Sequence, residues 1–409
     1  MKMYVAGEWI GADTEIPVHD PYSGDLIDTV PSASARHVDR AVTAAVAGAA
    51  AMRQLTAHQR AEILNSAANG MERRLDELAH LLSREEGKPL VESRAEVGRC
   101  PELLRLCTFE ATQIRGETLP LDAAPNGAGK LGFAIREPCG VVAAITPFNF
   151  PLLLVVHKVG PALAAGNAVI LKPAGATPLV ALALTELLIE AGLPELALQC
   201  ITGPGAEIGP LLCADPRVRK VSFTGSAEVG EAICRVAGIK RMSLELGSNC
   251  PLIVLPDADI GHVAAATAIG GYSNAGQVCI STQRVLAHHS VYPDLLDALS
   301  DEVSSIPTGD PLKEQTRLSA MISISDADRV GTWIDEAVKG GARVVTGGEH
   351  DGAIFEPTVV ADVDPEMRIS RQELFGPAVG VTPVTDIEQA LALANDSDYG
   401  LSAGIFTRD

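Results

Sequence analysis

Short apolar segments alternate with longer helix-like segments between residues 141 and 237, and this alternation limits the possible folds more than any other feature. The apolar segments are "VVAAI" (141–145), "NAVILK" (167–172), "ALQCIT" (197–202) and "KVSFTG" (220–225), each followed by a segment typical of a helix. Continuous apolar strands joined by helices form parallel sheets that are covered on both faces. The sequence therefore predicts an α/β domain built on a parallel sheet.

A second alternation follows and predicts a second α/β domain. Its strands are "CPLIVL" (250–255), "TQRVLAHH" (282–289) and "ARVVTGG" (342–348), and its helices cover 260–273, 291–303 and a segment near 386–395. Ahead of both, residues 1–30 are typical of short strands and residues 34–115 of several amphipathic helices. The 409 residues suffice for two or three domains.

Residues 116–140 interrupt the helical pattern. Two alternating runs flank the turn-forming cluster "APNGAG", which predicts a β-hairpin. This hairpin has too little apolar surface for a core of its own. We therefore expect it to project from the domain and to pair with another surface.

The composition excludes several classes of function. A formal net charge of −20 disfavours binding to nucleic acid or to anionic membranes. No apolar run reaches the length of about 18 residues that a membrane span needs, and the first residues lack the apolar core of a signal peptide. The eight cysteines form no CxxC pair, which indicates neither a zinc site nor a disulfide framework. We expect a cytoplasmic protein that binds no metal.

The stretch "NAGQVCIS" (274–281) places Cys279 in a small, polar, glycine-containing turn. A buried and inert thiol is the common role of a free cysteine. A nucleophile is the alternative, but it requires an activating environment that a local sequence does not show. The stretch alone leaves both roles open.

Two further motifs suit a bound anion or nucleotide. Gly225 and Ser226 lie between a strand and the start of a helix, where backbone N–H groups favour an anion, although the GxGxxG pattern is absent. A tight turn with Ser226 as helix N-cap explains the same residues. Lys172 ends an apolar strand, where parallel sheets bind ligands, but a solvated lysine is the common case.

Three polar residues allow both structural and catalytic roles. Asn149 in "PFNFP" is either a helix N-cap or an amide donor to an oxyanion. Glu245 stands between two leucines, so we expect a buried carboxylate that is either a general base with a raised pKa or half of an ion pair. Glu373 in "QELFGP" indicates only a surface turn.

The order of these motifs is more specific than any one of them. "PFNFP", "KPAGATP", "FTGS", "LELG", "GQVC" and "ELFGP" follow one another with the spacing of the aldehyde dehydrogenase superfamily. The chain resembles that family from about residue 5 to its last residue, and it is most similar to the branch of lactaldehyde and other small-aldehyde dehydrogenases. The resemblance implies a Rossmann-like cofactor domain (1–115 and 138–245), an oligomerisation hairpin (116–137) and a catalytic α/β domain (246–409).

The resemblance also implies roles for matching residues. Cys279 would attack the aldehyde carbon, Asn149 would hold the oxyanion, Glu245 would activate water for thioester hydrolysis, and Lys158 would stand near the active site. NAD or NADP would be the cofactor, and a small aldehyde the substrate. The residues expected at the cofactor are Thr146, Pro147, Phe148, Lys172, Ala174, Gly175, Gly205, Phe223, Thr224, Gly225, Ser226, Leu246, Glu373 and Phe375.

The chain departs from the family pattern at a few positions. Gly175 replaces the glutamate of many NAD-preferring members, which makes NADP admissible. Ser248 and Asn249 replace the commoner Gly-Lys pair, with little expected effect on the chemistry. His157 and Ser273 replace bulky residues, which favours a small and polar substrate. His157 and Arg105 could together contact a hydroxyl or anionic group of that substrate. The expected substrate pocket comprises Phe150, His157, Ser273, Arg105, Val278 and Ile280.

The sequence ends at "GLSAGIFTRD", where family members continue. Since the family assembles as dimers or tetramers, we expect assembly and activity of this form to be impaired. Two other functions stay open from the sequence. One is a CoA-acylating dehydrogenase, which Glu245 disfavours because such an enzyme needs no base for water. The other is a catalytically silent binding protein with the same fold.

Overall fold

The structure is a computed structural model that describes residues 1–409. The strands are β1 (Met3–Val5), β2 (Glu8–Ile10), β3 (Glu15–His19), β4 (Leu26–Pro31), β5 (Glu117–Leu119), β6 (Gly132–Ala134), β7 (Val141–Ile145), β8 (Ala168–Lys172), β9 (Leu198–Cys200), β10 (Val218–Thr224), β11 (Arg241–Glu245), β12 (Pro251–Val254), β13 (Arg284–His288), β14 (Arg343–Thr346), β15 (His350–Asp351), β16 (Ile354–Phe355), β17 (Thr358–Ala361), β18 (Ala378–Val384) and β19 (Gly404–Phe406). The helices are α1 (Ala35–Gln54), α2 (Ala57–Arg73), α3 (Leu75–Glu86), α4 (Leu90–Thr112), α5 (Leu153–Ala164), α6 (Leu179–Glu190), α7 (Gly205–Ala214), α8 (Ala227–Ala237), α9 (Ile260–Tyr272), α10 (Tyr292–Ser304), α11 (Ile324–Lys339), α12 (Arg368–Arg371) and α13 (Ile387–Asn395).

The first sheet has seven strands in the order β11-β10-β7-β8-β9-β1-β2. Its five strands from β11 to β9 are parallel, whereas β1 runs antiparallel to both of its neighbours. Side chains alternate between two apolar cores. On β8, Val169 and Leu171 face one core, while Ala168 and Ile170 face the other. Helices therefore cover both faces, as the continuous apolar strands predict.

The second sheet has six strands in the order β14-β17-β18-β13-β12-β19, and only β14 is antiparallel. The predicted second α/β unit is thus confirmed. Residues 304–386 contain more helices and strands than the sequence indicated, since α11, β17 and β18 were not expected. Gly380 and Pro383 lie within β18 and weaken its strand pattern.

The predicted hairpin is present as β5 paired with β6 in antiparallel register, with Thr118 opposite Phe133. Its apolar side chains point away from both cores. Leu131, Phe133 and Ile135 are exposed to 82%, 68% and 67%. The hairpin therefore projects, and its role in oligomerisation stays a prediction.

Candidate active site

Four strands of the first sheet bring their carboxyl ends together at one edge. In the parallel register Ile145 pairs with Lys172 and with Phe223, and Thr224 pairs with Glu245. Open α/β sheets bind ligands at this edge. The segments that follow β7, β8 and β10 therefore converge on one place.

A cleft of ≈ 680 Å³ opens at this edge and reaches the segments that precede strands β13 and β18 of the second sheet. Most of the residues expected at the cofactor or the reacting atoms line it: Thr146, Pro147, Phe148, Asn149, Lys172, Ala174, Gly205, Phe223, Thr224, Gly225, Ser226, Leu246, Cys279, Glu373 and Phe375. Gly175 stands next to this set but outside the lining, and its backbone is exposed. The Cβ of a larger residue there would meet no atom within 4 Å.

Cys279 follows a tight turn that brings the second sheet's domain to the cleft. Asn274 and Ala275 both have left-handed backbones (φ of 50° and 52°). Gly276 is also left-handed, and a Cβ on it would lie 2.0 Å from the carbonyl oxygen of Gly376, so only glycine fits. Cys279 is half-buried. Burial raises the pKa of its thiol, and the nearby Glu373 carboxylate raises it further.

Asn149 is buried and does not cap a helix, so its structural alternative is wrong. Helix α5 begins only at Leu153, and Oε1 of Glu96 accepts the backbone N–H groups of Leu152 and Leu153, each at 3.0 Å. The Asn149 amide instead donates to the carbonyl oxygen of Gln277 at 2.7 Å. Because an amide nitrogen carries two protons, the second N–H stays available near Cys279.

Glu245 contradicts the expectation of a buried carboxylate, because its side chain is exposed. Strand β11 forms the edge of its sheet, so the two flanking leucines do not enclose the residue between them. The carboxylate still acts electrostatically on the site, since its charge raises the pKa values of Cys279 and Lys158. Glu245 is therefore solvated, and its charge reaches the Cys279 thiol.

Lys158 is buried on α5 and donates to Thr224 Oγ1 at 2.7 Å. Burial lowers its pKa to about 8, against the opposing effect of Glu245. Lys172 has the same pKa of about 8, for which burial alone is responsible. The Lys172 side chain is buried and its ammonium faces the cleft without a carboxylate partner. The alternative that Lys172 is a solvated lysine at the end of its strand is therefore wrong.

Glu373 is part-buried rather than at the surface. One of its carboxylate oxygens accepts the backbone N–H of Ser248 at 3.0 Å, and burial raises its pKa. Phe375 adopts a left-handed backbone (φ 51°) that directs it toward Phe148, with ring centres 5.8 Å apart in an edge-to-face contact. The two rings narrow the cleft between the domains.

Ser226 caps α8 by accepting the N–H of Val229 at 3.4 Å, as one of the two interpretations of the sequence predicts. It also lines the cleft, and binding of an anion there stays a prediction. A Cβ on Gly225 would lie 2.5 Å from the Phe223 ring, so a larger residue would displace that ring.

Sequence analysis missed the helix faces that complete the cleft. Residues of α7 and α8 form an apolar groove: Ala206, Gly209, Pro210, Val229, Ala232, Ile233 and Val236. Val229 and Val236 are exposed to 47% and 43% although they are apolar. Helical periodicity assigns such residues to a core, and only the relative placement of the two helices shows that they face a cavity.

Arg105 does not belong to the substrate pocket, contrary to expectation. Its guanidinium makes a bidentate pair with Glu72 at 2.6 and 2.8 Å and a further bond to Asn69. His157 is exposed on α5, and its pKa is lowered by partial burial and by the positive charges of Arg99 and Lys158. Arg99, which is exposed on α4, is a nearby cation that no sequence motif indicated.

The other residues expected in the substrate pocket differ in their contacts and in their exposure. The Phe150 ring lies under the Lys88 ammonium at 4.0 Å, and Ser273 donates to the carbonyl oxygen of Ile269 at 2.9 Å. Val278 is part-buried and Ile280 is exposed to 57% on either side of Cys279. Their contact with substrate stays a prediction.

Two classes of feature are absent from the structure. No group of three or more His, Cys, Asp or Glu side chains is arranged to hold a metal ion. None of the helices combines the length and the apolar character that crossing a membrane demands.

Comparison with known proteins identifies the family. Residues 9–409 match the model described as "Aldehyde dehydrogenase family". The chain is 43% identical over 407 residues to a 3-sulfolactaldehyde dehydrogenase of Priestia aryabhattai, covering 100% of this chain and 85% of that protein. It is 35% identical over 411 residues to a lactaldehyde dehydrogenase of Methanococcus aeolicus, covering 100% and 87%.

A solved structure shows the same fold. NADP-dependent glyceraldehyde-3-phosphate dehydrogenase from Bacillus halodurans C-125, in complex with NADP, matches with a TM-score of 0.97 and 34% identity, covering 100% of this chain and 86% of that one. The resemblance inferred from the motifs is confirmed. The chain belongs to the aldehyde dehydrogenase family and is an oxidoreductase that acts on aldehydes.

Proposed function

We propose that this chain oxidises a short aldehyde carrying an anionic group, through a covalent intermediate on Cys279, with NADP admitted as cofactor. The observation that carries the chemistry is the meeting of Cys279 and Asn149 in one cleft with Lys172 and Glu373. The first pair suits a reaction at a carbonyl carbon. The second pair suits the hydroxyl and phosphate groups of a nucleotide.

The cleft fits a nicotinamide dinucleotide. Lys172 has no carboxylate partner, and the buried Thr146 Oγ1 has no hydrogen-bond partner in the protein, so both are free to bond a ligand. The apolar groove between α7 and α8 suits a flat base, and the start of α8, where Ser226 lines the cleft, suits a phosphate. When bound, the nicotinamide supplies a hydride acceptor.

The protein's own part in oxidation begins at Cys279. Its thiolate forms a bond to the aldehyde carbon, and the oxygen becomes an oxyanion that accepts the free N–H of Asn149 and the backbone N–H of Cys279. Loss of hydride from that carbon leaves a thioester. A thiol is a better nucleophile than water, so the covalent route separates oxidation from hydrolysis.

Glu245 and Lys158 serve the hydrolytic half of the reaction. The exposed Glu245 carboxylate accepts a proton from water, whose oxygen then attacks the thioester carbon and releases the acid and the Cys279 thiol. With its pKa of about 8, Lys158 passes a proton onward near neutral pH. Solvation of Glu245 suits this role, because water must reach it.

Arg99 and His157 support an anionic substrate. Helices α4 and α5 contact each other at two places. Glu96 of α4 bonds the start of α5, and Leu104 and Cys107 of α4 pack against Gly160 of α5. Arg99 of α4 and His157 of α5 lie between these two contacts. No acidic side chain forms a salt bridge with Arg99. Two of the compared proteins are named for aldehydes that carry a sulfo or phosphate group.

Two variants test the chemistry. Cys279→Ala should abolish aldehyde-dependent reduction of either cofactor while retaining cofactor binding. Glu245→Gln should give a single burst of reduced cofactor, after which thioester hydrolysis slows by about 10²–10⁴-fold and acyl-enzyme accumulates. Reduction by the alanine variant, or normal turnover by the glutamine variant, would show that these assignments are wrong.

The substrate class is tested with matched aldehydes. Arg99→Gln should raise KM for a short aldehyde that carries a carboxylate or sulfonate by about tenfold or more, the value of a charge-assisted bond. For a neutral aldehyde of the same length, KM should change little. Arg105→Gln is the control for removing a cation from the same helix. Equal losses with both substrates would exclude an anion-specific role for Arg99.

A further inference from the structure

A buried cluster of charged and amide side chains lies against Asn149 and the turn before Cys279. Its members are Glu86, Lys88, Glu96 and Asn274. The side chains of Glu86, Lys88 and Glu96 are exposed to 0%, 0% and 1%, and Asn274 to 2%. None of them lines the cleft. Removing charges from water is costly, so such a cluster persists only with well-made hydrogen bonds.

Lys88 and Glu96 hold the segment that contains Asn149. The Lys88 ammonium donates to Glu96 Oε2 at 2.6 Å and to the backbone carbonyl oxygen of Asn149 at 2.7 Å. The other oxygen of Glu96 accepts the first two N–H groups at the start of α5. The ion pair therefore fixes the backbone from Asn149 to Leu153.

Asn274 joins this segment to the turn that carries the nucleophile. Its Nδ2 donates to the same Asn149 carbonyl at 3.0 Å and to Glu86 Oε1 at 2.8 Å. Its backbone N–H donates to Glu92 at 2.9 Å. In the opposite direction, the Asn149 amide donates to the carbonyl oxygen of Gln277, two residues before Cys279. Four hydrogen bonds thus connect the turn to the other domain, and two of them involve Asn149.

Burial and the neighbouring charges act on the cluster in opposite directions. Burial raises the pKa of Glu86 well above its usual value, although Lys88 opposes the shift. Burial alone would lower the pKa of Lys88, but Glu96 and Glu86 outweigh it and raise that pKa. The raised pKa of Lys88 favours its charged form, which suits the ion pair with Glu96.

We propose that Lys88, Glu96 and Asn274 are positioning residues that set the separation between the Asn149 amide and the Cys279 sulfur, and thereby the rate of the oxidative half-reaction. They touch neither substrate nor cofactor. The proposal rests on the functions proposed above for Asn149 and Cys279. A displacement of about 1 Å in such a pair can cost about 10²-fold in rate.

Asn274→Asp is the direct test. Aspartate has nearly the same shape and tolerates the left-handed backbone, but it lacks the amide donor that bridges Glu86 and Asn149. The rate of the first burst of reduced cofactor should fall by about 10- to 100-fold. The Kd of the cofactor, measured by fluorescence titration, should stay within about twofold, because the cluster does not reach the cleft lining. Asn274→Gly, which also suits the left-handed backbone, should show the same fall and provides a second variant if the aspartate disturbs folding.

Glu85→Gln is the matched control. Glu85 is a neighbouring, fully buried carboxylate, but its oxygens accept the N–H groups of Leu179 and Val180 at the start of α6, at 2.7 and 3.0 Å. It makes no hydrogen bond to Asn149 or Asn274. We expect this variant to lose stability and to keep the wild-type burst rate.

The outcomes separate this proposal from the proposed function. A wild-type burst in the Asn274 variants, or an equally slow burst in Glu85→Gln, would overturn the positioning role. If Cys279→Ala, assayed alongside, still reduced the cofactor, the covalent mechanism itself would fail. An inactive Cys279→Ala together with normal Asn274 variants would reject only the positioning role.

Discussion

Cys279 is a thiol whose surroundings suppress its ionisation in the cofactor-free protein. Burial raises its pKa above the ordinary 9.0, and the negative charge of Glu373 adds to the shift. Since the thiolate is the reacting form, alkylation of Cys279 by iodoacetamide should keep accelerating above pH 9. Glu373→Gln removes a negative neighbour and should move the profile to lower pH. Peptide mapping at a series of pH values measures both, and a plateau of the rate below pH 9.0 would contradict a raised pKa of Cys279.

Gly175 offers a test of cofactor choice at a single residue. Because a Cβ there meets no atom within 4 Å, a glutamate fits without strain. Its carboxylate should repel the 2′-phosphate of NADP, and desolvated like charges can cost several kcal/mol. Gly175→Glu should therefore lower kcat/KM for NADP more than it raises the value for NAD. An unchanged ratio would mean that Gly175 does not face the ribose.

The sequence identified side chains well but misjudged some of their environments. Cys279, Asn149, Lys172 and Glu373 were found because their motifs occur in one order. Glu245 was expected to be buried, since flanking leucines show a local pattern but not that β11 is an edge strand. Arg99 was missed because pairing of Arg105 with Glu72 is a contact between helices that no local pattern shows.

At the scale of elements, one side chain holds the segment that carries Glu373. Gln283, at the start of β13, accepts the N–H of Leu374 and donates to the carbonyl oxygens of Ile369 and Gln372. Gln283→Leu would leave three backbone groups without these partners, at about 1–3 kcal/mol for each group that stays buried and unsatisfied. We expect lower stability in urea and a weaker affinity for the cofactor.

Gln372→Leu is the control for this change. Gln372 carries the same side chain in an exposed position, where such substitutions usually alter stability by about 0.5 kcal/mol or less. Equal destabilisation by the two leucine variants would show that the Gln283 hydrogen bonds do not anchor the segment.

Strand–helix alternation predicted most elements, but it failed where contacts between elements determine the structure. Strand β18 contains glycine and proline, and its position between β17 and β13 makes it a strand despite weak propensity. The groove between α7 and α8 is likewise a property of two elements together. Neither can be obtained from the periodicity of a single segment.

At the scale of the whole molecule, the hairpin presents apolar side chains to solvent. Leu131 and Phe133 are exposed to 82% and 68%, and such surface favours self-association. We expect a mixture of monomer, weak dimer and aggregate. Leu131→Ser together with Phe133→Ser should raise the monomer fraction in light scattering after size exclusion, without changing cofactor affinity. An unaltered distribution of masses would place the association surface elsewhere.

The lowered pKa values of Lys158 and Lys172 also affect how their amines react with acylating reagents. With pKa values of about 8, roughly half of each is the free amine at pH 8, against less than about one per cent for an ordinary lysine. Acylating reagents attack only the free amine. Limiting acetic anhydride should therefore modify Lys172, which lines the cleft, ahead of exposed lysines, and bound dinucleotide should shield it. Metabolites that acylate amines without an enzyme would inactivate the protein by the same selectivity, so the burial that prepares the site also makes it the place of damage.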